Sequence, residues 1–186
     1  MDYAGIVRLG VRSLAEQGCR RIGLISCLGT GRSGRTQSAA YRATLAELGL
    51  PFRPERVWKR TGTELSNSND GTRGELGYRA LLTLLEADRH ALDGVVIDDD
   101  MTTVGALAAA KKLGVVVGSD LKIATHANKG SLTLIEHEPV LTLMEIDPNE
   151  LVEAMFGELE RLMDGDGTTP DARVVRPVLR VAGQAS

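Results

Sequence analysis

Apolar residues recur along the chain in two patterns that take turns. Ile6, Leu9, Gly10, Val11 and Leu14 fall at helical spacing, and Gly18 supplies a stop. Residues 21–27, RIGLISC, are a short apolar run of strand length. RTQSAAYRATLAELG (35–49) reads as a helix of good formers, ended by Gly49 and Pro51. ERVWKR (55–60) is a strand candidate, with Trp58 packed on it rather than stacked on a ligand. ELGYRALLTLLEAD (75–88) is a helix, LDGVVID (92–98) a buried strand, and MTTVGALAAAKKLG (101–114) a helix stopped by Gly114. LKIATH (121–126) and PVLTLMEI (139–146) are two further strands, separated by the NKGS break. Pro148 suits the first turn of a helix capped by Asp147 and running to Gly165, and RVVRPVLRVAG closes the chain as an extended segment.

Strands alternating with helices imply right-handed crossovers, hence an α/β fold: a doubly wound, mainly parallel sheet with helices on both faces. In open sheets of this kind ligands bind beyond the carboxyl ends of the strands. Four loops then form the candidate site: 28–34, the polar stretch 61–73, 98–101 and 126–131.

The first of these loops holds competing motifs. Gly29-x-Gly31-x-x-Gly34 fits a dinucleotide fingerprint, and Gly29-x-x-x-x-Gly34-Arg35-Thr36 is one residue from a phosphate-cradling P-loop. The first needs an acid at the end of the next strand to hold ribose hydroxyls, yet that strand ends Lys59-Arg60-Thr61. The second needs a compact lysine charge where Arg35 stands. A turn needing positive φ or a polar ligand loop explains the glycines better.

Asp98, Asp99 and Asp100 follow the strand 92–98. Adjacent strand side chains point to opposite faces, so the three do not converge readily on a metal. A phosphoryl-accepting receiver domain also gathers aspartates, but it needs acids after its first strand, where residues 21–27 offer none. We expect Asp100 to cap the helix from Met101, Asp99 to reach the crevice as a hydroxyl acceptor, and Asp98 to end the strand. No catalytic set emerges: Ser26 and Ser33 have no base at recognisable spacing, His90 and His137 read as solvated, and His126 is open between a ligand contact and a structural role. No cofactor and no metal site is expected.

Composition narrows the class further. The chain has 186 residues, 42% hydrophobic but only 3% aromatic, so its core must rest on Leu, Val, Ile and Ala. A net charge of −3 with both signs interspersed argues against a broad nucleic-acid-binding face. Cys19 and Cys27 lack metal spacing and read as buried free thiols. No segment approaches the ~18 apolar residues of a membrane span, and the start MDYAGIVRLG lacks a signal-peptide pattern. We therefore expect a cytoplasmic, non-membrane protein.

The order of these pieces is telling. VRSLAEQGCRRIGLIS (11–26), YRATLAELGLPF (41–52), GYRALLTLL (77–85), DGVVIDDDMTTVGALAAAKKLG (93–114), DLKIATHAN (120–128) and PVLTLMEIDPNELVEAMFGELERLMDG (139–165) together resemble the LacI/GalR family of bacterial transcriptional repressors. More narrowly, they resemble the C-terminal part of its periplasmic-binding-protein-like sensor domain. The resemblance implies residues 1–139 as the C-terminal lobe, 140–164 as a segment crossing to an N-terminal lobe that has no counterpart here, and 165–186 as a return strand and tail. It implies a non-enzymatic sensor for a sugar or small polar metabolite. Its lobes would rearrange on effector binding and so reset operator DNA binding by a helix-turn-helix domain absent from this chain. It also implies a homodimer, and we expect apolar surface within residues 140–163 to be covered by another chain.

The family often carries an arginine four positions before the aromatic residue that Tyr41 matches; here that position is Gln37. Arg35 lies two residues earlier, about 200° round a helix, and does not replace it. The family's Asn-Asp pair after the third strand becomes Asp99-Asp100, and its Asp-Asp pair after the next strand becomes Ala127-Asn128. The expected ligand contacts are accordingly Ser33, Arg35, Gln37, Asp99, His126 and Asn128. A periplasmic-type solute-binding protein and a nucleotide-binding enzyme using the Gly29–Gly34 loop are the alternatives.

Overall fold

The computed structural model describes residues 1–60, 72–86, 88, 90–163 and 174–181. The elements run α1 (Tyr3–Glu16), β1 (Ile22–Ser26), α2 (Arg32–Glu47), β2 (Val57–Lys59), α3 (Arg73–Leu85), β3 (Gly94–Ile97), α4 (Asp100–Leu113), β4 (Lys122–Asn128), β5 (Leu141–Ile146), α5 (Pro148–Met163) and β6 (Val178–Arg180). They build one six-stranded sheet in the order β2-β1-β3-β4-β5-β6. The first five strands are parallel, and β6 lies antiparallel against β5. The doubly wound α/β architecture expected from the alternating pattern is the one observed.

Each sheet face carries its own core. Ile6, Val7, Val11 and Leu14 of α1 and Tyr41 and Leu45 of α2 pack with Leu24, Val96, Ala124 and Met144 on one side. Leu81 and Leu85 of α3 and Ala106 and Ala110 of α4 pack with Ile25, Val95, Ile97 and Ile123 on the other. With so few aromatics, fit comes from small residues that let backbones approach. A Cβ on Gly105 would lie 1.7 Å from the Gly74 carbonyl oxygen, and one on Gly77 would lie 1.9 Å from that of Thr102, so α3 and α4 touch almost backbone to backbone. Trp58 is half-buried against the α3/α4 side, as expected of a packed residue.

Local signals place the ends. Asp2 caps α1 by accepting from the Gly5 amide at 2.7 Å, and Gly18 follows at φ 93°. Thr72 and Glu75 close a capping box on α3. Two boundaries differ from the sequence reading. α2 starts at Arg32, with Gly31 as its N-cap, so the Arg32–Gly34 half of the glycine loop is already helix. Of the loop read at 61–73, residues 61–71 lie outside the described residues, and Arg73 opens α3.

α5 stands apart from this economy. None of its residues is buried; Leu151 and Ala154 rest partly on the α1/α2-side core. Val152, Met155, Phe156, Leu159, Leu162 and Met163 are exposed. The apolar surface expected within 140–163 is therefore on the helix, whereas β5 is buried in the sheet through Leu141, Leu143, Met144 and Ile146.

Candidate functional site

Register across the parallel strands builds the site. Ile25, Ile97 and Thr125 are partners across β1, β3 and β4, so Ser26, Asp98 and His126 form the next row toward the carboxyl edge. Leu24, Val96 and Ala124, two residues earlier, belong to the α1/α2-side core, and alternation sends Ser26, Asp98 and His126 to that same face. Gln37 of α2 joins this row at Ser26, whose hydroxyl donates to its Oε1 at 2.6 Å.

All four side chains are buried, yet three polar atoms have no protein partner among the described residues: Gln37 Nε2, Asp98 Oδ1 and His126 Nε2. Buried polar atoms in native proteins are nearly always satisfied, so three orphans on one row at the ligand edge of the sheet mark a place for something polar. The other oxygen of Asp98 is well held, accepting from the backbone amides of Cys27 at 2.7 Å and Leu28 at 3.2 Å.

The electrostatics follow from that burial. Desolvation, and then the neighbouring charge of Asp99, push the Asp98 carboxyl up to about 7, against the opposing pull of the Cys27 amide, Ser26 and Arg73. Desolvation pulls the His126 imidazole down, with Asp100 and Asp99 opposing, which favours the neutral ring. Cys27, beside the same carboxylate, is pushed up to about 12 by burial, and Cys19 to about 11. Both thiols are free and buried, so neither is a nucleophile.

The helix cap corrects the sequence reading. Asp99, not Asp100, caps α4, accepting from the Thr102 amide at 2.7 Å, because β3 ends one residue sooner, at Ile97. Its second oxygen pairs with Arg73 at the start of α3. The carboxylate expected as an open hydroxyl acceptor is thus already engaged at both oxygens. Asp100 lies in the first turn of α4 and accepts from the Ser131 hydroxyl at 3.1 Å, tying the 128–131 turn to this helix.

The remaining expected residues spread outward from the row. Ser33 is half-buried in the first turn of α2, and Arg35 is exposed, its guanidinium donating to the Thr30 carbonyl at 2.8 Å. Asn128 is exposed at the end of β4, where its carbonyl accepts from the Ser131 amide at 2.9 Å. Gln37 joins the buried row at Ser26, and His126 belongs to it by register; Ser33 and Arg35 stand on the first turn of α2 and Asn128 at the end of β4. Sequence reasoning missed Ser26 and Asp98 as members and Arg73 as the partner of Asp99. Counting alternation forward from Val96 would have found Asp98. Among the described residues, no group of three or more His, Cys, Asp or Glu side chains is arranged to hold a metal ion.

The glycines now have physical reasons. Gly29 adopts φ 65°, and a Cβ on Gly34 would lie 2.0 Å from the Gly29 carbonyl oxygen, so the turn folds directly onto α2. The first two amides of the loop point at the Asp98 carboxyl, the place where a phosphate cradle would need them free. Two surface cavities, of about 360 and 320 Å³, lie elsewhere: one by Gln17, Lys122 and Val140, the other by Tyr41, Arg42 and Lys59. Neither is lined by any of the three orphaned groups, which makes the buried row the stronger site.

The doubly wound sheet gathers these polar groups at its carboxyl edge, where open α/β sheets bind ligands. Residues 11–184 match the family model of the periplasmic binding protein-like domain, and the chain belongs to that family. The resemblance to LacI-type sensor domains is borne out by its relatives. An HTH-type transcriptional regulator from the aml 5′ region of Streptomyces limosus is 28% identical over 189 aligned positions, covering all of this chain and 49% of its own length. The fold matches a sugar-binding LacI-family regulator of Escherichia coli solved with phosphate (TM-score 0.76, 19% identity, 97% of this chain and 60% of that one). It also matches the regulator CelR in complex with cellobiose (TM-score 0.78, 24% identity, 97% of this chain and 51% of that one). The chain thus spans about half to three-fifths of the length of these relatives.

Proposed function

We propose that this chain is an effector-sensing part of a LacI-type transcriptional regulator, taking a sugar or similar small polar metabolite at the carboxyl edge of its sheet. The observation that carries this is the buried row with three unpartnered polar atoms, Gln37 Nε2, Asp98 Oδ1 and His126 Nε2. A ligand rich in donors and acceptors supplies such groups with the partners they lose on burial. Relatives of matching fold that bind sugars support the same choice. The domain is not an enzyme in this reading: the Ser26 hydroxyl is committed to Gln37 and both thiols are inert.

Signalling follows by population shift. An effector that contacts this row and a second, facing lobe favours one lobe arrangement, and the spacing of DNA-binding heads outside this chain changes with it. In this reading the six-stranded sheet, β5 included, is one lobe with α1–α4, and the crossing expected at 140–164 begins only at α5. The exposed apolar face of α5 belongs to contacts beyond this lobe, with the facing lobe or with the second subunit of a homodimer. The site of action is the cytoplasm, where operator DNA lies; no described helix is long and apolar enough to cross a membrane.

A thermal-shift screen tests the class of ligand. Sugars and polyols raise the melting temperature of the chain, whereas ATP and NAD leave it unchanged. Stabilisation by nucleotides alone contradicts the reading, because it would return the Gly29–Gly34 loop to phosphate binding. The second reading, a periplasmic-type solute-binding protein with no role at DNA, shares the fold and the ligand class. It is separated by whether the longer protein retards operator DNA in an effector-dependent way.

A further inference from the structure

The charges around the buried row are unequal. Asp98, Asp99 and Asp100 lie together at the end of β3 and the start of α4, and the cation placed against them is Arg73, spent on Asp99. Asp100 is held by the Met101 amide at 2.8 Å and the Ser131 hydroxyl, neither of them charged. From α2 the row receives a neutral amide, Gln37, and from β4 a neutral imidazole, His126. Arg35 turns to the Thr30 carbonyl, and Lys129 pairs with Asp147 at 3.1 Å. One buried open acceptor is therefore a carboxyl oxygen, fixed in place because its twin is pinned by two backbone amides.

Resting on the effector-binding reading above, we propose that the ligand carries a protonated amine among its hydroxyls, as an amino sugar does, and that Asp98 Oδ1 receives the ammonium. A hydrogen bond between two opposite charges in a desolvated pocket is the strong kind, and it supplies the positive charge this cluster lacks. Gln37 Nε2 then donates to a ligand oxygen, and His126 Nε2 meets a hydroxyl. An anionic ligand would face Asp98 and Asp100, and the cation beside them, Arg73, is already paired with Asp99. Asp98 acts as the specificity-determining residue.

Protonation adds an independent signature. The groups acting on Asp98 are Ser26 at the end of β1 and Cys27 just after it, Arg73 at the start of α3 and Asp99 at the cap of α4; Gln37 of α2 reaches Ser26, and Asp99 and Asp100 act on His126 of β4. Burial holds much of the free Asp98 population protonated at neutral pH. An arriving ammonium ionises it, and the proton leaves to buffer. A neutral sugar gives no such release.

The experiment is calorimetric titration of the 186-residue chain with glucosamine, galactosamine and mannosamine, with the parent hexoses, and with the matching uronic acids. At least one amino sugar binds about tenfold or more tighter than its parent hexose, and the uronic acids bind weakest. Asp98→Asn lowers that amino sugar's affinity about tenfold more than it lowers that of the parent hexose. Titrations of the natural chain at acid pH in two buffers of different ionisation heat show net proton release for the amino sugar alone, a readout that does not require the variant to fold. Hexoses bound equally well with or without the amine overturn the ammonium assignment and leave the effector reading standing. Tightest binding by a uronic acid, absence of proton release, or no binding by any amino sugar also overturns it.

Discussion

At the scale of single residues, Asp98 is the clearest case of structure giving a side chain a role its neighbours in sequence do not reveal. In a run of three aspartates it looks interchangeable with the other two, yet only it turns into the α1/α2 side of the sheet. Its burial depends on the amides of Cys27 and Leu28, some seventy residues away, a separation no local pattern encodes. A pH prediction follows. Its folded-state value, about 7, lies above the ordinary carboxylate value. The stability linked to its protonated form is therefore complete below about pH 4 and lost as pH rises through about 7. His126 opposes it: stability linked to the neutral ring is present above the ordinary histidine value and lost as pH falls through its lowered one. We expect Asp98→Asn to gain stability relative to the natural chain as pH rises from about 5 to about 8, by a few kcal/mol at most. Denaturant titrations at several pH values check this; two curves that stay parallel would mean that Asp98 does not titrate in that interval.

At the scale of elements, the hydrophobic pattern was a good guide and the caps were a poorer one. The strand at β1 and the helix at α4 were readable because their apolar runs are long and bounded by glycine. The start of α2 was not, because Gly31 caps it without a side-chain bond and Arg32-Ser33-Gly34 looks like more loop. The cap of α4 was misplaced by one residue because any of three aspartates could serve, and only the end of β3 decides among them. The contact between α3 and α4 was also silent in sequence, since Gly77 and Gly105 carry no apolar signal while permitting the closest approach in the fold. Gly105→Ala should cost about 2 kcal/mol or more through overpacking against the backbone of Gly74, lowering Tm by several degrees. Gly157→Ala, where a new Cβ meets nothing within 4 Å, should be neutral or mildly stabilising through helix propensity. Thermal unfolding of both variants checks the pair; equal Tm values would contradict the close α3–α4 contact.

At the scale of the whole molecule, α5 and the buried row say the same thing from opposite sides. Both are surfaces that look finished only when something lies against them. The row lacks hydrogen-bond partners, and α5 lacks apolar ones, with Phe156 and Met163 exposed at 61% and 77%. The overall resemblance made the doubly wound fold of a periplasmic binding protein-like domain legible in the sequence. It did not reveal which atoms of the lobe are left open, because that depends on long-range register and on where each loop folds back. For the isolated chain we expect self-association through α5, reversed by Met155→Glu with Phe156→Glu. Light scattering reads it directly: a monomer at high concentration in the natural chain would count against α5 as a contact surface.

The central claim is that the buried row of Ser26, Gln37, Asp98 and His126 is where the effector binds. Amide chemical-shift mapping by NMR, during titration with whichever compound stabilises the chain most, tests it most directly. The account predicts shifts concentrated at residues 26–37, 98–102 and 126–131, around the carboxyl ends of β1, β3 and β4. Shifts confined to the cavity by Gln17, Lys122 and Val140, with that edge of the sheet unmoved, would contradict it.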